Sequence, residues 1–207
     1  MIHVFHGFLG SPQDFSFLPK REEIKLHDLL DLNPNLSIES HDTLIGYSMG
    51  GRIALELAHQ RNFDIKKLVL IGSHPGLSSV EERQKRALWE DEVLSRLESS
   101  TPQEFESYWN SLSVFEHDQP IRIENQKLYA SLFDHFRLSR QENFLPYLKN
   151  HRERLLWIVG SHDEKYRKIA QETLAPLGIA TRVIDGGHRL FQNSDSLLHV
   201  LKEEGIL

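Results

Sequence analysis

The stretch Gly46–Gly50, which reads Gly-Tyr-Ser-Met-Gly, constrains the fold of this chain more than any other feature. The apolar run Thr43–Gly46 leads into it, and Arg52–Ala58 continues with the apolar spacing of a helix. Small residues around Ser48 let the backbone turn sharply from strand to helix with the serine at the apex. Helix N–H groups then point at whatever the serine attacks. The stretch predicts a nucleophilic serine; an ordinary glycine-rich turn is the alternative.

Length and composition place the chain among ordinary globular proteins. Its 207 residues fit one domain with a sizeable core. A formal charge of −6 argues against general binding to nucleic acid or membrane surfaces, so an anionic substrate needs local arginines. The absence of cysteine excludes disulfides, a thiol nucleophile and a cysteine zinc site. With neither a signal peptide nor a long apolar run evident, we expect a cytoplasmic protein, a monomer or small homo-oligomer.

Short apolar runs alternate with helical patterns along much of the chain. This alternation predicts an α/β fold with a mostly parallel sheet and crossover helices. The predicted strands are Ile2–Phe5, Ile24–Leu30, Thr43–Gly46, Lys67–Gly72, Leu155–Val159 and Ile179–Ile184. The predicted helices beside them are Asp14–Leu18, Met49–Gln60, Lys165–Leu174 and Ser194–Glu203.

Strand patterns disappear between Ser73 and Asn150. Helical patterns cover Val80–Glu98, a segment from Pro102 with Thr101 as its N-cap, Lys127–Phe136 and Ser139–Lys149. We therefore expect residues 73–150 to form a helical cap inserted after the fourth strand. Residues 1–72 and 151–207 then form the core.

A serine needs a base to take its proton, and the base works best when a carboxylate orients it. Asp163 follows the fifth predicted strand and His188 follows the sixth, so all three groups lie at carboxyl ends of strands. The chain order Ser48, Asp163, His188 is that of serine hydrolases built on an α/β sheet. A turn-capping role for Asp163 and a structural role for His188 stay open, with His162 and Asp185 as competitors.

Two backbone N–H groups are candidates for an oxyanion hole. One is that of Met49, directly after the serine, and the other is that of Phe8 in the loop that ends the first strand. A plain strand-ending turn is the alternative for this loop.

Several stretches together resemble the 2-succinyl-6-hydroxy-2,4-cyclohexadiene-1-carboxylate synthases of menaquinone biosynthesis, a branch of the α/β-hydrolase superfamily. They are His6–Gly10, Gly46–Arg52, Ser73–Leu77 with Glu82–Arg86, Gly160–Tyr166 and Gly186–His188. The strand–turn–helix at Gly46–Gly50, called a nucleophile elbow, and the triad of Ser48, Asp163 and His188 occur throughout the superfamily. Arg52 and the His-Pro-Gly-Leu segment before an arginine-bearing helix are more specific to this branch.

The resemblance implies an α/β-hydrolase fold and an elimination rather than a hydrolysis. In this family, a proton is removed from a succinyl-bearing cyclohexene and pyruvate leaves as a ring double bond forms. Ser48 and His188 would form the base system, Asp163 would orient His188, and neither a cofactor nor a metal is expected. A small carboxyl-ester or thioester hydrolase with the same triad is the alternative, and a non-catalytic binding protein is a third hypothesis.

Candidate substrate residues follow from position and from the resemblance. Arg52 lies one helical turn after Ser48, where a cation suits a carboxylate-bearing substrate. Arg86 matches a substrate arginine of the family, and Arg83 lies three residues earlier on the same helix face. Tyr47 and Trp109 are candidates for the pocket wall. The alternatives are ion pairs or solvated faces for the arginines and core packing for the aromatics.

The chain also departs from the family pattern. The first strand begins at residue 2, without the strands that usually precede it, and only the short Asp31–Leu36 segment replaces a longer stretch before the elbow strand. A further cap arginine of the family has no match, and Arg137 or Arg140 are candidates to replace it. These differences bear on the substrate more than on the fold.

Overall fold

The computed structural model describes residues 1–33 and 36–207, so part of the Asp31–Leu36 segment lies outside the described residues. A sheet of six strands in the order β2-β1-β3-β4-β5-β6 forms the centre, and every neighbouring pair is parallel. The strands are β1 (Ile2–Phe5), β2 (Ile24–His27), β3 (Thr43–Tyr47), β4 (Lys67–Ile71), β5 (Leu155–Gly160) and β6 (Ala180–Ile184). The predicted α/β fold with a mostly parallel sheet is confirmed.

The central strands are apolar because helices cover both faces of the sheet. Successive side chains point to opposite faces, so Leu44 and Leu68 join one hydrophobic cluster, whereas Ile45 and Val69 join the other. Helix α1 (Met49–Gln60) covers the first face, and α7 (Ser194–Glu203), whose bounds match the prediction, covers the second.

The edge strand β2 ends three residues earlier than predicted. The carboxylate of Asp28 accepts a hydrogen bond from the N–H of Leu30 at 3.0 Å and starts a 3₁₀ turn over Leu29–Asp31. This local side-chain bond competes with continuation of the strand.

The segment between β4 and β5 is helical but less regular than predicted. It contains α2 (Val80–Ser99), α3 (Pro102–Asn110), α4 (Ala130–His135) and α5 (Leu145–Leu148). The expected N-cap is confirmed, since the hydroxyl of Thr101 accepts from the N–H of Glu104 at 3.3 Å.

The prediction of a helix over Ser139–Lys149 is wrong. The N–H and hydroxyl of Ser139 bond to the buried carboxylate of Glu90, and the N–H of Phe144 donates to the carbonyl of Pro75 at 2.9 Å. In the predicted helix the N–H of Phe144 would donate to the carbonyl of Arg140, so its bond to Pro75 is incompatible with that helix. Only α5 and a following 3₁₀ segment, Lys149–Arg154, form.

Three further predicted helices form with different geometry. A 3₁₀ turn over Pro12–Phe15 replaces Asp14–Leu18, and another over Gln126–Tyr129 precedes α4. The predicted Lys165–Leu174 helix consists of α6 (Glu164–Lys168) and a π-helical segment, Ile169–Leu174.

The inserted helices pack directly on the sheet. Phe105, Trp109 and Phe133 belong to the same buried cluster as Phe5 and Trp157 of the sheet. Throughout residues 1–33 and 36–207, no helix has both the length and the apolar character needed to cross a membrane.

Helix α1 starts so close to β1 that only glycine fits at position 50. A Cβ there would lie 2.2 Å from the carbonyl oxygen of His6 and 2.4 Å from that of Phe5. Both are backbone atoms at the end of β1, so neither can move away without disturbing the strand.

We predict that Gly50→Ala lowers the free energy of unfolding by about 1–3 kcal/mol or more, because α1 must move away from β1. Urea unfolding followed by circular dichroism measures this loss. Ser95→Ala, at an exposed position of α2, is the control and should unfold like the wild type. Equal stability of the two variants would contradict the close approach.

At the edge of the sheet, His27 is partly buried against two aromatic rings. Its ring stacks on those of His3 and Phe5 with centroid distances of 5.2 and 4.9 Å, and His3 Nδ1 lies 3.0 Å from His27 Nε2. Burial, followed by repulsion from His3 and Lys25, lowers the pKa of His27 to about 4. The folded state therefore holds this imidazole neutral.

Because the pKa of His27 is lower in the folded state, the unfolded chain binds the extra proton below pH 6.5. Stability from this group is nearly full above pH 6.5 and falls as the pH falls, by about 1–1.5 kcal/mol between pH 6.5 and 5. We predict that the free energy of unfolding, measured with urea, falls less steeply with decreasing pH in His27→Gln than in the wild type. The matched control is the exposed His199→Gln, which should keep the wild-type slope. An unchanged slope in His27→Gln contradicts the prediction.

Candidate active site

Ser48 occupies a strained turn between β3 and α1. Its φ and ψ are 51° and −110°, a positive φ that side-chain-bearing residues rarely adopt. Its N–H donates to the carbonyl of Ile71 at 2.9 Å, and its carbonyl accepts from Ser73 Oγ at 3.1 Å. Bonds to β4 and to the loop after it thus hold the turn, and such strain is typical of functional positions.

The structure brings Ser48, His188 and Asp163 into one hydrogen-bonded line. His188 Nε2 lies 3.1 Å from Ser48 Oγ, and His188 Nδ1 lies 2.6 Å from Asp163 Oδ2. The carboxylate can only accept, so Nδ1 carries the proton and Nε2 is left to accept that of the serine. Both His188 and Asp163 are 3% exposed.

The two residues that compete with His188 and Asp163 for roles in the triad lie outside this hydrogen-bonded line. His162 and Asp185 contact each other at 3.4 Å and are both exposed. Asp163 also caps α6, since its other oxygen accepts from the N–H of Tyr166 at 3.3 Å. Capping and orientation of His188 therefore coexist in one carboxylate.

The loop after β1 is held by the buried His6. Its Nε2 accepts from the N–H of Leu29 at 3.0 Å, so Nδ1 carries the proton and donates to the carbonyl of Gly7 at 2.7 Å. The N–H of Gly10 reaches the same carbonyl at 3.1 Å. In a trans peptide the N–H points opposite to the carbonyl, so the N–H of Phe8 faces away from these donors.

Among the residues that the structure describes, two cavities have Ser48, Trp109 and Phe115 in common in their walls. The first, of about 260 Å³, contains Phe8 and Tyr47. The second, of about 290 Å³, contains His188 and two cationic residues described below. Larger cavities of about 520 and 540 Å³ contain neither Ser48 nor His188.

The predicted aromatic residues lie beside the triad. The Tyr47 ring is buried, with its centroid 5.4 Å from that of His188, and burial raises the pKa of its hydroxyl. Trp109 packs edge-on against Phe8 at 5.2 Å between centroids. Tyr47 and Trp109 therefore line cavities beside Ser48 and also pack against neighbouring rings.

Arg86 and Lys165 provide the positive charge of the second cavity. The Arg86 guanidinium lies 4.1 Å from the centre of the Trp89 ring and 2.8 Å from the carboxylate of Glu90. Stacking and the ion pair hold it in place while it lines the cavity. Lys165, in the first turn of α6, is exposed and was not among the predicted site residues.

Arg52 lies behind this cavity rather than in its wall. Its Nη1 donates to the carbonyl of Phe136 at 2.7 Å and to the side chain of Gln141 at 3.2 Å. Burial, followed by repulsion from Arg86, lowers its pKa to about 10. It lines a separate cavity that also contains Arg137 and Arg140.

Arg83 is bound to backbone within the cap. Its guanidinium donates to the carbonyls of Leu77, Ser139 and Gln141 at 2.8, 3.2 and 2.6 Å. Arg137 pairs with Asp91 and Asp134, and Arg140 with Asp134. None of these three arginines lines a cavity with Ser48 among the described residues.

Nearby cations contribute to a lowered pKa of His74. Burial, followed by Lys165, Arg52 and Arg86, lowers its pKa to about 3. Three positive groups therefore converge on this side of the triad, in a chain whose overall charge is negative. In the part of the chain that the structure describes, no group of three His, Asp or Glu residues is arranged to hold a metal ion.

Sequence reasoning missed Lys165, Arg189 and Asp118. Arg189 is 3% exposed and lines the first cavity, and its Nη1 donates to the carbonyl of Gln119 at 2.8 Å. Lys165 and Arg189 stand two and one residues after triad members, a signal that could have found them. Asp118 lies in the cap with no comparable signal.

Comparison with known proteins gives a family and a fold. The thioesterase-domain model matches residues 27–203. A 2-succinyl-6-hydroxy-2,4-cyclohexadiene-1-carboxylate synthase of Photorhabdus laumondii is 28% identical over 185 residues, which cover 81% of this chain and 66% of that protein. The chain thus spans just under two thirds of that relative's length.

Solved structures agree on the fold. MenH from S. aureus superposes with a TM-score of 0.79 at 24% identity, over 99% of this chain and 94% of that one. A malate-bound esterase from Thermogutta terrifontis gives 0.67 at 18% identity, over 98% and 88%. From the fold, the site geometry and the matched model, the chain belongs to the thioesterase-domain family and is an enzyme of the α/β-hydrolase class.

Proposed function

We propose that this enzyme eliminates pyruvate from a succinyl-hydroxycyclohexene carboxylate, giving 2-succinyl-6-hydroxy-2,4-cyclohexadiene-1-carboxylate in menaquinone biosynthesis. The observation that carries the proposal is the second cavity, where Arg86 and Lys165 share a wall with Ser48 and His188. A plain ester hydrolase has no need for two cations beside its nucleophile, whereas a substrate with several carboxylates does. The similarity to the Photorhabdus synthase supports the same reaction.

In the proposed reaction, Ser48 and His188 act as the base system. His188 Nε2 accepts a proton through Ser48 Oγ, and the electron pair released from the substrate C–H bond forms the ring double bond. The ring C–O bond breaks, and pyruvate departs as its enolate with the electrons of that bond. The imidazolium of His188 then returns the proton to the enolate, which gives pyruvate and regenerates the base. Asp163 holds the tautomer in which Nδ1 carries the proton of the neutral imidazole, and it stabilises the imidazolium that forms.

The substrate carbonyl gains negative charge as its neighbouring proton leaves. Donors fixed in advance at that oxygen stabilise the transition state more than the ground state. We assign this role to the N–H groups of Met49, at the start of α1, and Phe8, whose peptide is oriented by His6. Arg86 and Lys165 would bind a substrate carboxylate, with Tyr47 and Trp109 as walls. We assign Arg52 a supporting electrostatic role behind Arg86, and Arg83 a role in holding the cap.

A small carboxyl-ester or thioester hydrolase is the second candidate. The thioesterase-domain match favours it, because the triad line suits acyl transfer equally well. In that reaction Ser48 Oγ attacks the acyl carbon, and His188 passes the proton to the leaving alcohol or thiol.

We predict that purified protein releases pyruvate from the succinyl-hydroxycyclohexene substrate, measured with coupled lactate dehydrogenase. Ser48→Ala should lower kcat by at least about 10³-fold, because the base system loses its link to the substrate. Ser113→Ala, in the wall of the same cavity, is the control and should stay within about threefold of wild type. Turnover of short p-nitrophenyl esters without any pyruvate release rejects the lyase in favour of the hydrolase.

The charge of the second cavity gives a separate prediction. Arg86→Gln and Lys165→Gln should each raise KM for the carboxylate substrate by about 10- to 100-fold, since each removes a charge-assisted bond. Turnover of a neutral p-nitrophenyl ester, where it occurs, should change little. Lys168→Gln, exposed on the same helix as Lys165, is the matched control. Equal effects on charged and neutral substrates speak against carboxylate binding.

A further inference from the structure

The carboxylate of Asp118 holds the backbone on which the candidate base is built. Its Oδ2 accepts from the N–H of His188 at 3.1 Å, and its Oδ1 accepts from the N–H of Arg189 at 3.0 Å. Asp118 belongs to the cap and lies 70 residues before His188 in the chain. One carboxylate from the cap thus binds two consecutive N–H groups in the core loop after β6.

The glycine before the histidine makes room for this contact. A Cβ at position 187 would lie 2.3 Å from Asp118 Oδ1. Any other residue there would displace the carboxylate from the two N–H groups. The Gly187-His188 pair is therefore matched to Asp118, which lies far away in sequence.

Other contacts hold the segment on either side of Asp118. The guanidinium of Arg189 lies 4.0 Å from the centre of the Phe115 ring and donates to the carbonyl of Gln119 at 2.8 Å. The side chain of Gln192 makes two bonds of 2.9 Å with the backbone of Gln119. Residues 115–119, which we call the cap loop, are therefore bound to the His188 loop on both sides of Asp118.

We propose that Asp118 is a positioning residue for His188, so that the cap sets the geometry of the catalytic base. This inference rests on the catalytic role proposed above for His188. Asp163 holds the imidazole from its Nδ1 side, and Asp118 holds the backbone from which the ring projects. Hydrogen bonds from N–H groups to a carboxylate are stronger than neutral ones, which suits a rigid anchor. Loss of the anchor lets Nε2 move relative to Ser48 Oγ.

The test compares Asp118→Ala and Asp118→Asn with the wild type. Asparagine keeps the shape and one acceptor oxygen, so it should fold where alanine does not. We expect kcat for pyruvate release to fall by about 10- to 100-fold in Asp118→Ala and by less in Asp118→Asn, since small displacements of reacting groups are costly. KM should change by less than about threefold. Glu116→Gln, an exposed carboxylate in the cap loop, is the matched control.

A spectroscopic readout separates positioning from plain stabilisation. The His188 Nδ1 proton, in its short bond to Asp163, should give a downfield proton NMR resonance that shifts or broadens in both Asp118 variants. A loss of stability in urea with wild-type kcat and an unchanged resonance overturns the inference.

His188→Ala distinguishes this inference from the proposed function. If that variant is inactive while both Asp118 variants keep wild-type kcat and resonance, only the positioning role fails. If His188→Ala keeps full activity, the proposed base and this inference fail together. If the wild type releases no pyruvate, the lyase assignment fails, and the resonance alone decides the role of Asp118.

Discussion

The close approach of α1 to the end of β1 is the constraint on which the site depends. Because Gly50 has no side chain, the helix can begin beside the carbonyls of Phe5 and His6. Ser48, two residues earlier, thereby lies next to the loop that carries Phe8, and bonds to Ile71 and Ser73 hold its strained turn. The sheet then brings the loops after β5 and β6 to the same edge, where Asp163 and His188 meet the serine.

The cap completes the site in two different ways. Its helix α2 carries Arg86, which stacking and an ion pair hold in the wall of the second cavity. Its loop after α3 carries Asp118, which reaches the backbone of the histidine. The region therefore contributes charge for the substrate and, in our proposal, geometry for the base. A shared hydrophobic cluster with the sheet makes both contributions rigid.

Much of this arrangement could be predicted, because it depends on local signals. Five strands were placed to within one or two residues, since buried parallel strands are continuous apolar runs bounded by turns. The Ser139–Lys149 helix was not predicted correctly, because the N–H of Phe144 bonds to the carbonyl of Pro75, which is far away in the chain. Arg52 was expected beside the nucleophile from its helical spacing, yet its guanidinium turns to the carbonyl of Phe136.

By itself, the sequence determined the parallel sheet, the turn at Ser48 and the order of Ser48, Asp163 and His188 along the chain. Apolar periodicity, small residues at tight turns and the rule that parallel strands end at one edge are enough for these. Only the tertiary structure decided that Arg86 rather than Arg52 lines the cavity with Ser48 and that Asp118 holds His188. Those facts depend on side-chain directions and on contacts between segments far apart in the chain, and no local pattern encodes them.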